Sequence, residues 1–480
     1  MSETAVITSV LGVYLAIVFG IAIWSRAEAQ SLEGYYLAGR RLPYWVAAFS
    51  TNASGESGWL LLGLSGMGYL LGVHALWILL GETIGVWLGW RLVAKRLKIA
   101  ADKHGSITVP DFLDDALAGS GTKLRIASIV IILSMVAAYV TAQMMATGKV
   151  FSSFLPMEYS TGVLLGGAIT MAYTAYGGFK AVSYSDVLQG VLMLLALILM
   201  PVAGILALQV PFWESLGNAD PVLLDLTGGF GLSLPGFIAI FSFVFMGFAF
   251  MGAPQLLTRF MAIRDPSEVK SASRIAISCI IVFDTGAVFT GMAGRILFPE
   301  LADAETVLPT MARALFPPVI TGLVMVMVLA AVMSTVDSLL ILSSSAIVRD
   351  LMQKTLNLGW PDAHFARAGK AVTVAIGVGA ISFALLEAKL VFWAVVFAQS
   401  GLASAFGPTV ICTLFYRKMT KQGALAGMLA GFTTNTVWAL FLKPYTNDTI
   451  EVIPGLIAGF AFTLLVSQAT WRRQPINRPG

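Results

Sequence analysis

Ser50-Thr51-Asn52-Ala53-Ser54-Gly55-Glu56-Ser57-Gly58-Trp59-Leu60 sits in the middle of an apolar run from about Pro43 to Gly72. A run of that length can cross a bilayer, which takes about 20 residues. Its centre nevertheless holds hydroxyls, an amide, glycines and a carboxylate. A lipid-facing helix does not tolerate such groups, because hydrocarbon offers them no water. A helix broken at membrane depth beside a cavity does. Such a break frees backbone carbonyls for a cation and turns a half-helix N-terminus toward an anion. Small residues in a membrane helix also serve close helix packing. The carboxylate of Glu56 tips the reading to a ligand site, since ionisable residues inside a membrane mark function.

Working outward, the whole chain is of the same kind. Hydrophobic residues make up 57% of its 480 positions and charged residues 12%, with a mean hydropathy of +0.83. Soluble domains carry roughly 25% charged residues, so the composition is that of a polytopic membrane protein. The formal charge of +4 implies no nucleic-acid partner, because the basic residues fall in loops. Cys279 and Cys412 lie in apolar stretches and read as packing residues, with no disulfide framework. His74, His104 and His364 fall near helix ends or in loops, which disfavours a membrane haem or metal enzyme. The first apolar segment is followed, not preceded, by its basic residue Arg26, so it reads as an uncleaved helix.

Apolar windows recur thirteen times, at 5–25, 43–72, 74–97, 123–152, 158–175, 184–208, 230–260, 271–297, 319–349, 370–386, 388–416, 421–443 and 450–471. With the N-terminus outside, only Lys149, Arg295, Arg313, Lys389 and Lys443 of the 30 Lys and Arg residues fall on the outer side or at helix ends. The positive-inside rule therefore places the N-terminus outside and the C-terminus in the cytoplasm. Residues 1–471 read as one transmembrane domain and 472–480 as a short basic cytoplasmic tail. The longer loops, at 98–122, 209–229, 298–318 and 350–369, have room for short surface helices.

A second interrupted helix is expected at 230–260, where Met246-Gly247-Phe248-Ala249-Phe250-Met251-Gly252-Ala253-Pro254-Gln255 opens the hydrogen-bond ladder. Taken alone, it would read as an ordinary proline kink. The two interrupted helices run in opposite directions and open segments of five helices each, about 43–208 and 230–416. That pairing points to an inverted-repeat transporter. In the 319–349 helix, Ala331, Ser334, Thr335 and Ser338 share one face, with Asp337 a turn from Ser334. Hydroxyls opposite freed carbonyls make an oxygen cage for a hard monovalent cation, although serines also fasten helices to one another. Asp186 reads either as a first-turn acid of the 184–208 helix or as a cation ligand. Glu82 and Asp284 are further acids within spans, facing a pore or a polar network, with no partner assignable.

Several stretches together resemble the sodium/solute symporter family, and within it the sodium/proline branch. They are Ala53-Ser-Gly-Glu-Ser-Gly-Trp-Leu60, Leu88 to Arg96, Tyr139 to Gln143, Gly177 to Gln189, Gly252 to Gln255 with Arg259 to Met261, and Ala330 to Ser338. The resemblance implies an all-α fold of leucine-transporter type. It has five plus five inverted helices, preceded by one and followed by two. It also implies a sodium site from the carbonyls of Ala53, Glu56 and Ala331 and the hydroxyls of Ser334 and Thr335. Some members hold a second sodium, which here would involve Asp186, Ser334, Asp337 and Ser338. The family's substrate site would fall at Gly55, Ser57, Gly58, Trp59, Tyr139, Met246, Phe250 and Pro254. Where the proline branch commonly has an aspartate this chain has Gly55, and a Trp and a Tyr of that pocket appear as Met246 and Phe250.

The expected function is sodium-coupled symport of a small polar solute, proline or a similar amino acid, across a bacterial-type inner membrane. Its partners are the solute, sodium and the bilayer, with no enzymatic activity and no obligatory protein partner. Coupling to protons, or transport of a small carboxylate or a sugar, is the alternative. A channel would need polar residues along a path, and a sensor would need a signalling domain.

Overall fold

The computed structural model describes residues 2–25, 31–117, 122–386 and 390–471. Arg26, Lys389 and the 472–480 tail, which entered the charge count, lie outside the described residues. Those described are helical almost throughout, with one isolated bridge between Leu42 and Ile263. Eleven helices among them are long and apolar enough to cross a membrane. The expected surface helices appear at Phe212–Ala219 and Val307–Leu315 in two of the longer loops.

Both interrupted helices are interrupted. The first runs Tyr44–Gly58, carries a non-helical Ser57, and continues through Trp59–Leu64 into Ser65–Leu71. The second runs Leu234–Met246, tightens to a 3-10 turn at Gly247–Met251, and restarts as Pro254–Ala262. Proline stands first in the restarted helix, where its missing N–H costs nothing. Leu42 N donates to Ala262 O at 3.1 Å and Arg264 N to Leu42 O at 2.9 Å. The entry of the first broken helix is thereby fastened beside the exit of the second, so the two run in opposite senses.

The Pro318–Ser345 helix is buried along nearly all its length. It packs on Tyr44–Gly58, Thr122–Phe154, Tyr159–Leu206 and Glu3–Ser25. The Leu76–Leu88 helix meets the second break backbone to backbone. A Cβ on Gly81 or Gly85 would collide with the carbonyls of Val244 or Gly247. Only glycine permits this crossing, and it brings Glu82 against the break.

Candidate functional site

The first break is made at Ser57, whose φ of 53° and ψ of −170° lie outside helical space. A positive φ is costly for a residue with a Cβ and persists only when neighbours fix it. Gln143, from the Thr122–Phe154 helix, does the fixing. Its Oε1 accepts from Gly58 N at 3.0 Å and its Nε2 donates to Ser57 Oγ at 3.3 Å. Across the break stands the hydroxyl face. Ser334 Oγ lies 2.7 Å from Ala53 O and 2.9 Å from Ala331 O. Thr335 Oγ1 lies 3.2 Å from Ser54 O. Four of the five expected sodium ligands, the carbonyls of Ala53 and Ala331 and the two hydroxyls, thus converge. The carbonyl facing Thr335 is that of Ser54, whereas Glu56 O accepts the Trp59 N–H. All are neutral oxygens, the donor type that suits a hard cation.

Asp186 is not a helix cap. It lies inside the Tyr159–Leu206 helix, about two turns beyond the kink at Gly178, where φ is 64°. Its Oδ2 accepts from Ser50 Oγ at 2.6 Å, Ser54 Oγ at 3.1 Å and Arg259 Nη2 at 3.0 Å. Arg259 also reaches Ser338 Oγ, and Asp337 Oδ1 accepts from Thr174 Oγ1 at 2.6 Å. The guanidinium is therefore the cation held by Asp186 here, while Asp337 is tied to Thr174, on the part of Tyr159–Leu206 before the Gly178 kink. Nothing in the apolar pattern marked Arg259 as the partner, although it stood in a quoted stretch.

Beside the break a small cavity is lined by Gly55, Trp59, Met246 and Phe250, four of the eight expected substrate residues. Ser57, Gly58, Tyr139 and Pro254 do not line it; the first two are held by Gln143 and all four are buried. The lining also takes in Glu82, Ala249, Val395, Val396, Gln399 and Ser400, the last four from a helix that no motif singled out. A Cβ on Gly55 would come 2.8 Å from Phe250 Cε1, so that ring occupies the place of a side chain at 55. The two acids that had no assignable partner, Glu82 and Asp284, meet Glu56 here. Carboxylate oxygens of Glu56, Glu82 and Asp284, all buried, lie within 4.8 Å of one another.

The model of the sodium:solute symporter family matches residues 35–431. A high-affinity proline transporter of Bacillus subtilis, PutP, is 35% identical over 94% of this chain and 95% of its own. The osmoregulated proline transporter OpuE of the same organism is 32% identical over 96% and 94%. A sodium/proline symporter of Escherichia coli is 35% identical over 96% and 92%. In fold the chain is similar to a substrate-bound, outward-open Na+-coupled sialic acid symporter, with a TM-score of 0.82 at 16% identity over 99% of both chains. A closed nucleobase-cation-symport-1 family transporter follows at 0.60, with 14% identity over 92% and 96%.

Proposed function

Because the chain belongs to the sodium:solute symporter family, we propose that it uses inward sodium to accumulate proline or a close amino acid by alternating access. The observation that carries the reading is the meeting of Ser334 and Thr335 with the carbonyls of Ala53 and Ser54 beside the break at Ser57. A sodium ion there is cargo. It joins the first broken helix to the Pro318–Ser345 helix and leaves when the two part. Each charge entering supplies about 2.3 kcal/mol per 100 mV, and the concentration gradient adds to it. The proline transporters among its relatives, at 32–35% identity over nearly the whole chain, support an amino acid of that kind as solute.

The solute occupies the cavity lined by Gly55, Trp59, Met246 and Phe250, with Ser57, Gly58, Tyr139 and Pro254 shaping its surround. A second sodium, where one binds, would have to displace or share the guanidinium on Asp186 and draw on Ser334, Asp337 and Ser338. Thirteen crossings are supported if Tyr44–His104 divides at Gly72, where φ is 56°, and 159–206 divides at Gly178. They group as one helix, two inverted sets of five over about 43–208 and 230–416, and two more. The lysine and arginine asymmetry supports an outside N-terminus in a bacterial-type inner membrane.

The test is uptake of labelled proline into proteoliposomes at fixed pH under an imposed sodium, potassium or proton gradient. Accumulation with sodium alone is expected. Accumulation driven equally by protons without sodium overturns the coupling, and sodium-driven uptake that no amino acid competes with overturns the solute.

A further inference from the structure

Glu56 ends the first half of a broken helix, Glu82 follows the glycine crossing, and Asp284 sits in the Val269–Leu297 helix. Their carboxylate oxygens lie within 4.8 Å of one another. Both oxygens of Glu56, both of Asp284 and Oε2 of Glu82 are buried and have no hydrogen-bond partner. Unpaired carboxylates in a low-dielectric interior cost several kcal/mol each, so the cluster takes up either protons or a cation. Two other buried acids have basic partners: Asp186 pairs with Arg259 and Glu305 with Lys149.

The cluster opens on the solute cavity. Glu82 is the only charged residue among those lining it, and Trp59 and Phe250 stand in the same wall. A second unpaired group belongs to a lining residue. Gln399 Oε1 accepts from Gln255 Nε2 at 3.0 Å, and its own Nε2, buried, has no partner. The cavity thus presents an anion, a free N–H donor and aromatic faces, the complement of an ammonium, a carboxylate and a small apolar body.

We propose that Glu82, backed by Glu56 and Asp284, docks the ammonium group of the solute while Gln399 Nε2 meets its carboxylate, so that a protonated amine is required for transport. This rests on the reading of the cavity as the solute site. It makes Glu82 a specificity-determining residue and restricts the solute class to zwitterionic or cationic amines. An inorganic ion shared by the three acids would instead leave solute recognition untouched.

The experiment compares wild type, Glu82→Gln and Glu82→Asp with three probes: L-proline, pyrrolidine (amine, no carboxylate) and cyclopentanecarboxylate (carboxylate, no amine). In sodium-driven uptake of labelled proline, pyrrolidine should compete with the wild type and cyclopentanecarboxylate should not. Loss of a charged hydrogen bond should raise the KM for proline about 10- to 100-fold in Glu82→Gln, and less in Glu82→Asp. The sodium concentration giving half-maximal rate at saturating proline should stay within about 2-fold. Competition by cyclopentanecarboxylate equal to that by proline in wild type overturns the proposal, even if the variants do not fold. So does a Glu82→Gln protein whose sodium dependence moves while its proline KM holds. Thermal shift of the purified wild type by the same probes needs no gradient. It separates the two readings: amines that stabilise the protein support the ammonium site even where sodium drives no proline uptake.

Discussion

Asp186 and Arg259 show how much one pair of residues decides. The carboxylate takes three donors on one oxygen, and the guanidinium also binds Ser50 O, Gln255 O and Ser338 Oγ. Removing one partner of a buried ion pair strands the other, at a cost of about 3–5 kcal/mol. Asp186→Asn and Arg259→Gln should each lower the thermal midpoint of the purified protein sharply. The double variant should lose less than the sum, because neither charge is left alone. Additive losses in a thermal melt would show that the pair is not coupled. The Ser334 and Thr335 face was legible because its members share one helix, and a period of 3.6 aligns them. Arg259, on the other hand, was visible only as a member of a motif. Its partner is 73 positions away, and one sequence does not report which helices touch.

At the scale of elements, two side chains hold helix ends that are not their own. Gln143 fastens the break at Ser57 from a neighbouring helix. Glu305 accepts from Val391 N at 3.0 Å and Phe392 N at 2.9 Å, capping the Val391–Phe415 helix while its Oε2 also pairs with Lys149 at 2.6 Å. Orphan N–H groups at a helix start need such an acceptor, and an anion there also answers the helix dipole. Glu305→Ala should therefore destabilise the protein by about 2 kcal/mol, more than a neutral cap costs. Glu305→Gln, keeping the acceptor, should recover part of it. Equal melts for the two variants would exclude capping. Positions of both broken helices were legible from glycine, proline and hydroxyl content in apolar runs. The cap was not, because Glu305 lies in what reads as a loop. Asp186 was misplaced for a related reason: its helix starts at the Gly178 kink, earlier than the expected start at 184.

Over the whole molecule, two cavities lie on either side of one contact. Gln399 lines the cavity beside the first break and its partner Gln255 lines a second cavity with Arg259 and Thr108. Beyond the second cavity, Asp111 ties the Val109–Ala116 helix to Arg125 at 2.9 Å and to Arg349 at 2.9 Å. Burial alone would raise the Asp111 carboxyl, but Arg349, Arg125 and Lys354 outweigh it and hold it below the usual carboxylate range. A depressed folded value means that the unfolded chain takes up the proton first as pH falls. The contribution is complete above about pH 4, the unfolded value, and is lost as pH falls through the folded one. The stability gap between wild type and Asp111→Asn should thus be largest near neutral pH and close on acidification. A gap that stays constant to pH 3 would contradict this. The polytopic membrane character was legible from hydropathy, whereas the meeting of Glu56, Glu82 and Asp284 depends on three helices whose neighbours only the structure supplies.

Sodium held between the first broken helix and the hydroxyl helix would couple the two halves, and the most direct measurement of it is the sodium dependence of proline uptake in Thr335→Ala vesicles. Thr335 Oγ1 lies 3.2 Å from Ser54 O and has no ring or charge of the solute cavity to serve. Loss of one oxygen ligand should raise the sodium concentration for half-maximal uptake by about 10-fold, the equivalent of one net hydrogen-bond-sized interaction. Solute affinity should follow only indirectly, through coupling of the two sites, and recover at high sodium. A Thr335→Ala protein with unchanged sodium dependence and a weakened proline affinity at every sodium concentration would contradict the site.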